Sequence, residues 1–144
     1  MKSKNIIFAA VVFILVCFIA GFCYSLHANQ TVIDGRFDAH YGELVRNIHM
    51  AKLNTDEDSI AKYDTENTIH GAFITELFPY TSYSGNHELY NIVINLDLGT
   101  GYDAVQKIAM SDALEEKLFM VQEDFKSEEI AREAMEMLAD AITY

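Results

Sequence analysis

The chain has 144 residues, with 22 Asp and Glu against ten Lys and Arg, a formal net charge of −12 and a pI of about 4.6. Such a chain is repelled by nucleic acid and by anionic lipid head groups, so neither polynucleotide binding nor adsorption through a basic patch is expected. Its length allows one domain with an appendage, and its two cysteines, Cys17 and Cys23, lie in one apolar segment, so the rest can form no disulfide, Cys nucleophile or thiolate metal site.

The appendage is Ile6 to Tyr24, "IIFAAVVFILVCFIAGFCY", which contains no charge. As a helix it rises roughly 28 Å, close to the hydrocarbon thickness of a bilayer, and it satisfies its own backbone polar groups. A cleaved secretory signal is the competing reading. Such signals have a shorter apolar core and a small-residue site, whereas Leu26-His27-Ala28 begins with a large residue. "IAGFC" resembles a lipobox, but Phe22 separates Gly21 from Cys23. An uncleaved signal anchor is therefore expected. Lys2 and Lys4 precede it and no Lys or Arg follows before Arg36. The positive-inside rule then puts residues 1–5 in the cytoplasm and everything after about Ser25 outside the cell membrane. All 22 acids follow the span with eight Lys and Arg, a formal charge of −14.

Residues 25–35 read as a connector and 36–144 as an acidic extracytoplasmic domain with one modest core. Phe37, Tyr41, Leu44, Val45, Ile48 and Ala51 fall at helical spacing, with Arg46, Asn47 and Lys52 elsewhere on the cylinder. Thr55 as N-cap and Asp56-Glu57-Asp58 as first-turn acids open a second helix. Its apolar positions are Ile60, Tyr63, Ile69, Phe73 and Leu77, and Gly71 or Pro79 ends it. The end of "AFITELFPYTSY" also suits an extended segment. Ser84-Gly85-Asn86 is a turn. Tyr90, Ile92, Ile94, Leu96 and Leu98 alternate with Asn91, Val93, Asn95 and Asp97, the pattern of a strand with one face on a core. A helix over 102–116 is expected next, with Val105, Ile108, Ala109 and Ala113 inward. "KLFMVQEDF" follows as a second strand with Phe119, Val121 and Phe125 on one face. Ser127 caps a last helix with Ile130, Ala134, Met137, Leu138 and Ile142 as its apolar stripe. The expected fold class is α+β: a transmembrane helix, then a small antiparallel sheet covered by amphipathic helices.

Asp97-Leu98-Gly99-Thr100 resembles the first phosphate loop of the actin and sugar-kinase superfamily, which would imply nucleotide binding. That superfamily needs two lobes and far more chain, and no Walker A pattern occurs. Gly99 and Gly101 then serve a tight turn. The apolar N-terminal helix followed by an amphipathic one is similar to type IV pilins, but "KSKNIIFAA" has neither the glycine nor the glutamate of their processing site.

None of His27, His40, His49, His70 and His87 forms an i,i+4 pair. "DEDSIAKYDTEN" is not an EF-hand loop, because Ile60 stands where the glycine belongs. Gly-x-Ser-x-Gly and Ser-x-x-Lys are absent, and 22 acids make any carboxylate pair unspecific. No cofactor, metal or catalytic residue is expected. The expected function is non-catalytic: a single-pass membrane protein, held by residues 6–24, whose acidic domain binds another membrane or envelope protein. The alternative is an extracytoplasmic sensor of a small ligand or cation, or a small enzyme, with a pocket around His87, Asp97 and Thr100.

Overall fold

A computed structural model describes the backbone of residues 2–54, 56–98 and 108–143, and the side chains of 11–54, 56–96 and 108–142. The described chain is 88% helical and contains no strand, so the fold is all-α and the α+β expectation is corrected. The helices are α1 (Lys2–Leu53), α2 (Glu57–Leu77), α3 (His87–Leu98), α4 (Asp112–Glu123) and α5 (Glu128–Thr143), with a 3-10 turn at Phe78–Tyr80. Two contact units divide the chain, 1–32 and 33–144.

In the first unit α1 exposes its apolar side chains; Phe13, Phe18 and Phe22 are among them, and none of the most apolar stretch is buried. This is the helix among the described residues that is long and apolar enough to cross a membrane. Residues 25–35 are helical. They contain no proline, and Thr31 donates its hydroxyl to the His27 carbonyl at 3.0 Å within the helix.

In the second unit Phe37, Tyr41, Leu44, Val45, Ile48 and Ala51 all enter the core, as their spacing predicts. Asn47 does not lie on the outer side of the cylinder. It is 1% exposed, on the core face beside Ile48. Thr55 lies outside the described residues. The cap of α2 is Asp56, whose carboxylate accepts the Ser59 N–H at 2.9 Å; that bond holds its pKa below the usual carboxylate value. Gly71 is inside α2 and buried, and the helix runs to Leu77 before Pro79 enters the 3-10 turn. "AFITELFPYTSY" is therefore helical through Tyr80; Thr81 has extended dihedrals, and a turn follows it in place of a strand. The buried face of α2 carries Ile60, Asn67, Gly71 and Ile74, while Ile69 and Phe73 are exposed.

The stretch expected as the first strand is α3. Alternation describes Tyr90–Leu98, but so does a helical repeat: Leu89, Ile92, Val93 and Leu96 are buried, and Tyr90 is exposed. A strand leaves its ladder groups unpaired without a neighbour, whereas a helix pairs its own. Asn86 decides the start. Its side chain accepts the Leu89 N–H at 3.0 Å as N-cap and donates to the Phe125 carbonyl at 3.0 Å. Asn86→Ala removes both bonds and orphans a buried carbonyl, and is expected to cost about 1.5 kcal/mol in denaturant unfolding.

The helix expected over 102–116 is interrupted: Ile108 and Ala109 are helical, Met110 turns, and Ser111 caps α4, accepting the Leu114 N–H at 3.3 Å. Val105 lies outside the described residues, and Ala113 is exposed. "KLFMVQEDF" is not a strand. Leu114, Leu118 and Val121 are buried at helical spacing with Phe125 just beyond, and Phe119 is 41% exposed. Ser127 caps α5 by accepting the Ile130 N–H at 3.3 Å. Ala131, Ala134 and Leu138 are buried there, with Ile130, Met137 and Ile142 half-buried.

Helix α3 packs on α2 and α5, and α4 packs on α5. The 33–53 part of α1 closes the core through an aromatic cluster. Phe37 meets Phe125 edge-on at 5.1 Å, Tyr83 at 5.6 Å and Phe78 at 6.0 Å, and Tyr41 meets Phe125 at 5.1 Å. Burial pushes the Tyr41 phenol upward, and its hydroxyl donates to the Leu118 carbonyl at 3.4 Å. The Gln122 side chain lies over Gly42, where a Cβ would stand 2.6 Å from its Nε2.

Candidate functional site

The sequence groups His87, Asp97 and Thr100. His87 is exposed in the first turn of α3, and Asp97 stands in its last turn, roughly 15 Å farther along the axis at 1.5 Å per residue. The helix thus holds these two backbone positions apart. Thr100 and the Asp97 side chain lie outside the described residues. His87 lines an open hollow of about 370 Å³ with Phe78, Pro79, Ser84 and Tyr90. Those neighbours are mainly aromatic and ring surfaces and add no carboxylate or ammonium group.

Two polar clusters come together instead from residues far apart in sequence. In the first, Glu115 of α4 is 8% exposed. One oxygen pairs with His49 Nδ1, and the other accepts from Lys52 Nζ at 3.2 Å. Lys52 also pairs with Asp112, which with Glu115 raises the Lys52 ammonium above its ordinary pKa. Both oxygens of Glu115 are thus engaged. The cluster clamps the first turn of α4 to the end of α1, and the two acids suit the helix N-terminus they occupy.

The second cluster lies between α1 and α2. His40 Nδ1 and His70 Nδ1 stand 2.9 Å apart, and the His40 ring stacks on Phe73 with centroids at 4.6 Å and planes 10° apart. Burial first, and then the nearby His70, lower the pKa of His40, while Glu43 acts in the opposite sense. Asn67, one turn before His70, is 0% exposed, and neither amide atom has a hydrogen-bond partner. Asn47 Nδ2 and Asp64 Oδ1 are likewise buried without partners. Among the described residues, no three His, Cys, Asp or Glu side chains gather as a metal site.

No spacing rule could pair His40 with His70, because they are 30 residues apart on different helices. Asn67 did carry a signal. It sits on the stripe Ile60, Asn67, Gly71, Ile74, the buried repeat of α2. Comparison with protein families, with curated proteins and with solved structures finds no match to this chain.

Proposed function

We propose that the protein is a non-catalytic, single-pass membrane protein, with its N-terminus in the cytoplasm and an acidic helical domain outside the cell membrane that binds another membrane or envelope protein. One observation carries the reading. The apolar helix through Val11–Phe22 exposes its side chains, while residues 33–144 close a core of their own. An apolar surface that large is stable only when something other than water covers it, and a bilayer matches its length and lack of charge. Lys2 and Lys4 before it, with no Lys or Arg after it until Arg36, favour the stated orientation.

The domain's surface supports a binding role. Its hollows are open, and apolar side chains such as Phe73, Tyr80 and Met110 face outward. The full chain is expected in the membrane pellet after alkaline carbonate washing. Protease added outside intact spheroplasts is expected to digest residues 33–144, and a pull-down with the anchor intact to recover a stoichiometric membrane protein. Protection of the domain from external protease reverses the orientation, and recovery of the chain alone removes the binding role.

A further inference from the structure

The His40–His70 contact joins two helices through a bond that depends on protonation. At 2.9 Å, two imidazole nitrogens share an N–H···N hydrogen bond, in which one Nδ1 donates and the other must be unprotonated. Two imidazolium rings carry N–H at both positions, so they set donor against donor and like charge against like charge. The contact therefore holds while at least one ring is neutral.

Around this contact α2 packs on α3, and its own face is mixed, part apolar and part polar. The main core takes Ile74 from its C-terminal end, with Tyr63 and Leu77 half-buried against it, and Ile60 is buried apart from that cluster. Behind His70 the buried face has Asn67, with both amide atoms unpaired, and Asp64 with a buried unpaired oxygen. Each such group weakens the seam instead of closing it. The Phe73 ring, half-exposed, covers one face of His40.

We propose that His40 and His70 form a pH-sensitive latch between α1 and α2, closed when at least one imidazole is neutral and released when both are protonated. Release frees the N-terminal part of α2 while α3, α4 and α5 stay packed. The direction follows from His40, whose pKa lies below its unfolded value. A histidine so shifted contributes stability that is present above the ordinary His value of 6.5 and is lost as pH falls through and below it.

The charged neighbours act as follows. Glu43 of α1 opposes the shift and is itself engaged by Arg46. On α2, Glu66 is paired with Lys62 at 3.9 Å. Burial raises the carboxyl pKa of Asp64, so its protonation favours the closed seam, but only at the lower pH of the carboxylate range.

The test uses the full chain in detergent micelles. Amide hydrogen exchange over Ile60–Ile74, corrected for the intrinsic effect of pH, is expected to lose protection severalfold between about pH 7.5 and 5.5. Protection in α5 is expected to hold. H40Q and H70Q, each keeping a hydrogen-bonding side chain, are expected to abolish the difference between the two pH values, and D64N to retain it. Equal wild-type protection of α2 at both pH values overturns the latch. So does a wild-type pH response surviving in both histidine variants, or a loss of protection that is the same in α5 as in α2.

Discussion

Phe37→Ala is expected to lower the stability of the domain by about 4 kcal/mol, a large share of what a domain of this size holds. The side chain is fully buried and touches the rings of Tyr41, Phe78, Tyr83 and Phe125, which come from α1, the 3-10 turn, the turn before α3 and the turn before α5. Its loss leaves a cavity that four rigid rings cannot collapse into without giving up their edge-on and tilted geometry. Phe119→Ala is the internal control. Phe119 is 41% exposed on α4, so its removal is expected to cost less than about 0.5 kcal/mol. Denaturant unfolding of the micelle-held chain, followed by far-ultraviolet circular dichroism, separates the two. Equal losses would contradict the outward position of Phe119 on α4.

Asn67→Ala is expected to act in the opposite direction, raising stability by about 2 kcal/mol. An amide buried without partners has given up its hydrogen bonds to water and gained none, a cost of roughly 1–3 kcal/mol. Alanine removes that cost, leaves only a small void in the stripe between Ile60 and Gly71, and is the better helix former. Asn86→Ala, the same change at a residue whose amide does make two hydrogen bonds, is expected to destabilise. The pair is measured by the same unfolding experiment. If Asn67→Ala destabilises as well, the amide is satisfied by a group outside this chain, such as an ordered water. The His40–His70 latch predicts a further consequence. A stabilised α2 seam should shift the release in Ile60–Ile74 to lower pH, because the histidines then work against a larger closing free energy.

The apolar run of 6–24, the core face of 37–51, the acids that open α2, the punctuation at Pro79 and the Ser127 cap were legible from residue spacing alone. Each depends on neighbours within one or two turns, which a single sequence displays. The strand readings failed for a local reason. In "LYNIVINLDL" the apolar residues are so dense that periods of 2 and 3.6 both fit, and the same holds for "KLFMVQEDF". The caps that break the tie, Asn86 and Ser111, are of the same kind as Ser127 and could have been weighed with it. Burial of Asn47, the Glu115 clamp and the meeting of His40 with His70 were decided by tertiary structure. Those contacts join helices 30 or more residues apart, and they depend on how α1 docks against α2 and α4. Which side of a helix meets which neighbour is set by the whole core at once. The spacing along one strip of sequence states only that a face exists.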